Sequence, residues 1–454
     1  MKSNNEKDFS AENQNTDNEK ENTNNQTENS TESSELYTEN EFTDFNDLDE
    51  LNDLDSLNEL SDTDYDNNAE ASDGADEAEE MEEMEEIVEK RKIPLFSKIL
   101  LGIAAFCAIL YVIFLNNPAF CDLFNINISP IIRGALSYLT TWIPFSLAEM
   151  LIILIPVIVV LIVGIGVKKY CDSWYNVGVF CVIMLSIASY VFTTYTLGFV
   201  PAYHGSTLDK KMGLDKQKVS AEELYDTASI LSQALAVEAK HIIFNGEGFS
   251  VMPYGYNELN DKLMAAYDKA CEKYDFISPL HSNIKEVMLS EPMTYTHISG
   301  VYTFFTGEAN LNVNFPDYVL PYTAAHEFAH QRGIAREDEA NFVAFLVCME
   351  SDDHYIRYSA YLNVYEYVAN ALYSANKDAY TPIYRSLPYG VKTDMAAYSK
   401  FFKKYQKTVV SEVSGAVNDT FLNINGVEEG SKSYGMVVDL AVAYYKDEAN
   451  IPTP

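Results

Sequence analysis

Three long apolar runs constrain this chain more than anything else in it. Phe96–Leu115 is broken only by Ser97, Lys98 and Gly102, and neither Met150–Val167 nor Val177–Val200 carries a charge. Each is about as long as a helix must be to cross a hydrocarbon core of about 30 Å. Helices buried in soluble proteins rarely stay uncharged over such a length. The runs therefore predict a membrane domain, residues 89–200, with spans at about 96–115, 150–167 and 177–200. A long acidic stretch precedes the first run, which argues against a cleaved signal peptide and for an uncleaved anchor.

Short-loop lysines and arginines set the expected orientation. Lys90, Arg91, Lys92 and Lys98 flank the first span, and Lys168 and Lys169 follow the second, whereas Asn116–Ala148 holds only Arg133 and Asp122. The N-terminus is thus expected in the cytoplasm and everything after Val200 outside it, in a multi-pass protein of the cell membrane. Ile131–Trp142 reads as a short helix lying in the outer interface, with Tyr138 and Trp142 at headgroup depth.

The charge is concentrated at the N-terminus. Of 68 Asp/Glu and 31 Lys/Arg in the 454 residues, residues 1–92 hold 32 acidic and 6 basic. Such a segment repels phosphate, so nucleic acid is excluded as a partner and anionic headgroups are repelled as well. Residues 1–88, rich in Asn, Glu, Asp, Ser and Thr, bury too little apolar surface to offset chain entropy and read as a disordered cytoplasmic tail. Leu48, Leu51, Leu54, Leu57 and Leu60 recur every third residue, which smears them around a helix instead of forming one face. That run is either a solvated linker or a docking motif for a cytoplasmic partner. The six cysteines form no CxxC pair. Cys107 and Cys181 fall in spans, and whether Cys271 and Cys348 pair is left open.

Residues 201–454 are long enough for a core and a cleft. Helical periodicity covers 221–244, 257–274, 317–333, 337–350, 354–375, 393–424 and 432–447. His297–Phe305 and Ala309–Phe315, joined by Thr306-Gly307-Glu308, read as a hairpin. The expected class is α+β: a disordered tail, three transmembrane helices, then a helix-rich domain with a small antiparallel sheet.

The helix 317–333 contains His326-Glu327-Phe328-Ala329-His330. Histidines at i and i+4 lie one turn apart on one face, so His326 and His330 can share one Zn2+, while Glu327 reaches a water held at the open position and acts as its base. Ser299–Phe305 is the candidate edge strand beside this site, available for pairing with substrate backbone. His204, His241, His281, His297 and His354 are isolated and read as structural. Tyr358 or Arg357 is a candidate for stabilising an oxyanion, although a Tyr-rich helix is more often core.

A third ligand must come from the acids after Gly333, which permits a sharp turn at the helix end. Position 336, where a metzincin would carry its next histidine, is Arg336. Glu337, Asp338 and Glu339 remain. Glu337 with Asn341 one turn on resembles the E-x-x-A-D helix of membrane gluzincins such as the prenyl-protein processing proteases, with Asn for Asp. That comparison makes Glu337 the ligand and Asn341 a brace for a histidine; Glu339 is the alternative.

A wider resemblance is carried by WIPFSLAE (142–149), GVYTFFTGEANLNV (300–313), LPYTAAHEFAHQRGIAREDEANFVAFL (320–346), SDDHYIRYSAYLN (351–363) and VNDTFLNINGVEEGSKSYGMVVDL (417–440). These blocks resemble a bacterial family of multi-pass membrane proteins of unknown function with a zincin-like C-terminal domain. The resemblance covers roughly residues 95–450. Where that family has an Asn-Tyr-His-Arg-like stretch, this chain has Ala202-Tyr203-His204-Gly205. The resemblance implies a gluzincin-like domain using Zn2+ and acting on a peptide or protein substrate outside the membrane. The residues leave two alternatives, a transmembrane sensor that signals to the acidic tail and a retired zincin whose metal is structural.

Overall fold

The computed structural model describes residues 89–406, 408–427 and 430–452; the acidic tail and its leucine run lie outside them. Three helices are long and apolar enough to cross a membrane: α1 (Leu95–Asn116), α4 (Leu147–Tyr170) and α5 (Trp174–Gly198). Between the first two lie α2 (Pro118–Asn127), which the hydropathy pattern does not single out, and α3 (Ser129–Thr141). α1 and α5 run side by side, with a Ser186–Ser97 hydroxyl bond of 3.0 Å between them. Along α4 only Ala148, Glu149 and Gly166 are buried, so nearly its whole apolar surface faces away from protein. α3, the short helix expected of that segment, turns Arg133, Ser137 and Thr140 inward and leaves Ile131 and Leu139 exposed, with Trp142 exposed just past its end.

Buried charged groups fasten the apolar helices to the rest of the chain. Arg133 donates to the Gly198 carbonyl at the end of α5 (2.8 Å), to the Asn125 side chain (2.8 Å) and to the Arg332 carbonyl (3.2 Å). Glu308 accepts from the amides of Leu147 and Ala148, 2.9 Å each, satisfying two of the orphan N–H groups that begin α4. Glu149 accepts in return from Met288 (2.9 Å) and Leu289 (2.7 Å). Lys285 donates to the carbonyls of Thr140 and Ile143. Unpaired, such charges would each cost several kcal/mol of desolvation, roughly, so these contacts fix one relative geometry.

After α5 come two one-turn helices, α6 (Val200–His204) and α7 (Leu208–Met212), then α8 (Ala221–Glu238) and α9 (Tyr256–Lys273). Ser220 and Glu223 form a capping box that starts α8. The sheet has three strands in the order β1-β3-β2: β1 (Lys285–Glu286), β2 (Gly300–Thr303) and β3 (Glu308–Leu311), with α10 (Ser290–Thr294) between β1 and β2. β2 and β3 form the expected hairpin, Gly300 opposite Leu311 and Thr303 opposite Glu308, but β1 runs parallel to β3, so the sheet is mixed and not purely antiparallel. A two-residue strand is too short to display alternation, and only β3 makes it one.

α11 (Val319–Gln331) is buried at all thirteen residues, and α12 (Glu337–Met349) at all but its last. They are joined at Gly333, whose φ of +90° suits glycine and where a Cβ would lie 2.5 Å from Arg133 Nη2. α13 (His354–Ala375), capped by Asp353, packs against both and against α8. The long helix expected over 393–424 is two helices, α15 (Tyr389–Lys403) and α16 (Val409–Ile424), preceded by an unanticipated α14 (Lys377–Ser386). The break follows from Thr408, which caps α16 in a box with Ser411. α17 (Val437–Tyr445) completes the core.

Candidate metal centre

The i, i+4 spacing on α11 puts the two imidazoles at right angles with centroids 4.5 Å apart. The turn at Gly333 brings the start of α12 back across them. Glu337 Oε2 then lies 3.2 Å from His326 Nε2 and 3.4 Å from His330 Nε2. His326, His330 and Glu337 are the one group of His, Cys, Asp or Glu among the described residues placed to hold a metal ion, with ligand atoms all within 4.8 Å of one another. Donors at the corners of a tetrahedron about zinc, bonded at about 2.0–2.1 Å, are separated by about 3.3–3.4 Å. The two measured separations fit that edge.

The hydrogen bonds point the same way. His330 Nδ1–H donates to the Ile334 carbonyl at 2.7 Å, which orients the ring and turns Nε2 toward Glu337. Asn341 lies close enough to His326 to raise its proton affinity, though His326 Nδ1 has no partner of good geometry. Glu327 Oε2 is likewise buried without a hydrogen-bond partner, and Glu337 Oε2 has only the two imidazole nitrogens within reach. Orphan polar atoms clustered in a buried site are costly unless a further group engages them, and the donor set, two imidazoles and a carboxylate, is one that zinc takes.

Without a metal the charges lean on one another. Burial alone would lower the His330 pKa, but the Glu337 carboxylate, helped by Glu327, raises it to about 9. Burial and neighbouring His330 lower that of His326, against the pull of Glu337. Burial would raise that of Glu337, yet the two histidines hold it well below the usual carboxylate range. Burial lifts Glu327 to about 8, with Glu337 adding to the rise and His330 opposing it.

Glu327 sits under β2. Asn312 N–H donates to the Ser299 carbonyl (2.9 Å) and Gly307 N–H to that of Thr303 (2.7 Å), so in the alternating pattern Gly300 and Tyr302 turn their backbone groups away from β3. The edge strand expected beside the site is therefore there, and its outward Tyr302 amide meets the Glu327 carboxylate. Gly300 allows the approach: a Cβ there would lie 2.5 Å from Glu327 Oε1. On the other side, Phe199 at the end of α5 packs its ring 6.2 Å from that of His330.

The other candidates are engaged elsewhere. Glu339 accepts from the Leu208 amide at 2.8 Å, and Asp338 pairs with Lys216 at 3.3 Å. Tyr358 donates to Asp394 (2.7 Å) and Arg357 to Glu238 (2.7 Å), which removes both from any oxyanion role. His354 also binds Glu238 and stacks on His241, His281 binds Asp268, and His297 bonds to the Tyr405 carbonyl. Cys271 and Cys348 are free thiols. Gly300 and Tyr302 fall within the strand expected beside the site, whereas Phe199 is a neighbour that no sequence motif marks.

The sequence model of one family, described as a protein of unknown function (DUF3810), matches residues 124–442. No curated protein and no solved structure matches the chain.

Proposed function

The chain belongs to the DUF3810 family of unknown function, and we propose that it is a zinc metallopeptidase held in the cell membrane by its three apolar helices. The observation that carries this reading is the convergence of His326 and His330 on Glu337, with Glu327 on the same helix and held under an edge strand. His326, His330 and Glu337 would hold the metal. Zinc, when bound, supplies a Lewis acid that acidifies water and polarises a peptide carbonyl. Glu327 accepts a proton from the attacking water and delivers it to the departing amide nitrogen, so that the C–N bond breaks as C–O and N–H bonds form. The outward side of β2 pairs with an extended peptide, and the Tyr302 amide orients Glu327. The lysine and arginine flanks support an orientation with this chemistry outside the cytoplasm and the acidic tail within it.

One observation favours a second reading, a structural metal in a retired site: His326, His330, Glu337 and Glu327 are only 8, 6, 9 and 3 % exposed. The full chain, purified in nanodiscs, separates the two when assayed for bound zinc and for cleavage of a peptide library. The peptidase reading expects one zinc and cleavage, with Glu327→Gln keeping the zinc and losing the cleavage. Zinc bound by both proteins with neither cleaving would leave the structural metal. Reporter fusions at Ser61 and Thr453 should lie on opposite sides of the membrane; both on one side would overturn the orientation.

A further inference from the structure

α16 carries an exposed face that a water-soluble surface would not have. At about 100° per residue, Val409, Val413, Val417, Thr420 and Ile424 fall within one stripe roughly 80° wide. The four apolar members are 75, 57, 64 and 64 % exposed. The one polar member, Thr420, returns its hydroxyl to the Ala416 carbonyl at 2.7 Å, so the stripe offers no unsatisfied polar group. Ser411 and Leu422, the only buried residues of α16, lie on the opposite side.

What covers the stripe is indicated by where α16 sits. Its Phe421 ring packs 6.2 Å from Tyr195 and 6.1 Å from Tyr203, and Asn425 bonds to the Tyr195 hydroxyl, so α16 is seated on the last turn of the third apolar helix and the short helix after it. Exposed Lys400 and Lys403, in the last turn of α15, come just before α16, where cationic side chains suit phosphate headgroups. Across the same end of the apolar helices, α3 presents Leu139 and Trp142. α3 and α16 thus both pack against the third apolar helix and each carries an exposed apolar surface beside it.

α16 also packs, through Leu422, on neighbours of the metal centre. Leu422 belongs to one buried cluster with Phe199, Tyr203, Tyr302 and Ala335. Within that cluster, Phe199 faces His330 and Tyr302 gives its amide to Glu327. A helix with only two buried residues is weakly held and can move without unpacking the core.

Resting on the metallopeptidase reading, we propose that α16 lies in the lipid leaflet on the metal-site side and is the lid of that site, so that the substrate is a polypeptide segment presented at the bilayer surface. The full chain in phosphatidylcholine nanodiscs, with Trp142→Phe and Trp174→Phe, can report the position of α16 through single Val413→Trp or Val417→Trp probes. Both probes should be quenched by acyl-brominated phosphatidylcholine and spared by acrylamide, while Glu412→Trp on the flank should show the reverse. Probes at 413 and 417 quenched by acrylamide alone, or protected from both quenchers as under a protein partner, would overturn the proposal. These readings need no catalysis, so their failure leaves the peptidase reading standing. The lid is tested by the double variant Val413→Asp/Val417→Asp, in which a water-soluble chelator should strip zinc several-fold faster than from wild type. Unchanged stripping would refute the lid. Where wild type cleaves, the variant should lose cleavage of a lipid-anchored peptide while keeping that of the same peptide in solution; equal loss of both would refute the substrate class.

Discussion

Gly300→Ala places a single methyl group against the proposed base. An ideal Cβ would lie 2.5 Å from Oε1, 2.7 Å from Cγ and 2.9 Å from Cδ of Glu327, against ordinary contact from 3.4 Å. The nearest approach must therefore open by about 0.9 Å, taking the limit of ordinary contact less the closest distance. β2 is held by β3 on its inner side, so the side chain of Glu327 moves more readily than the strand. Overpacking of this kind costs roughly 1–3 kcal/mol of stability, at the low end where the atoms that yield belong to a side chain. Displacing a catalytic group by about 1 Å costs on the order of 10²-fold in rate, or about 2.7 kcal/mol in the barrier. Gly300→Ala should then keep its zinc, because no ligand is touched, lose a few degrees of thermal stability, and cleave peptide about a hundredfold more slowly. Val301→Ala, at the half-exposed next position, should match wild type in all three. Kinetics on one peptide, zinc content and thermal unfolding of the detergent-solubilised protein measure them. Wild-type turnover by Gly300→Ala would refute the role given to β2, and loss of zinc would mean that β2 supports the ligands themselves.

Three further predictions follow from the same geometry. Glu337→Ala should lose zinc affinity by orders of magnitude, whereas Glu339→Ala, whose carboxylate binds the Leu208 amide, should lose little; isothermal titration of the apo protein decides, and the reverse ranking would reject the ligand set. Glu308→Gln leaves one of the two α4 amides unpaired and removes the charge at the helix start, which should cost about 2–3 kcal/mol in denaturant unfolding; a loss under about 0.5 kcal/mol would show that the contact does not hold the helices together. Asp353 is pushed up by burial but pulled further down by Tyr254, the Ile356 amide and Lys262, so its folded pKa lies below 3.8. Its contribution is complete above that value and lost as pH falls through the folded pKa. The melting temperatures of wild type and Asp353→Asn should differ at pH 6 and converge as the pH falls below 3.8, and a constant difference would contradict the assignment.

Features legible in the sequence were those set by neighbours along the chain. Hydropathy over twenty residues is enough to find α1, α4 and α5, because the hydrocarbon core demands only length and the absence of charge. The four-residue step from His326 to His330, and the glycine that ends their helix, follow from helix geometry alone. The turn at 306–308 announces its hairpin in the same way. Other features depended on residues far apart in the chain. β1 is a strand only because β3 lies beside it. Glu308 reads as a turn residue until the start of α4 arrives above it, and Arg133 reads as a lone interfacial cation until three carbonyl-bearing segments close around it. The resemblance to the E-x-x-A-D helix points to Glu337 over Glu339, but the engagement of Glu339 by Leu208 belongs to the tertiary structure. The core reading of the Tyr-rich helix holds for Tyr358, but its partner Asp394, and the partner Glu238 of Arg357, stand far from them in sequence and could not be read there. Periodicity reports which face of an element is apolar; which atoms that face will meet is decided only when the chain closes on itself.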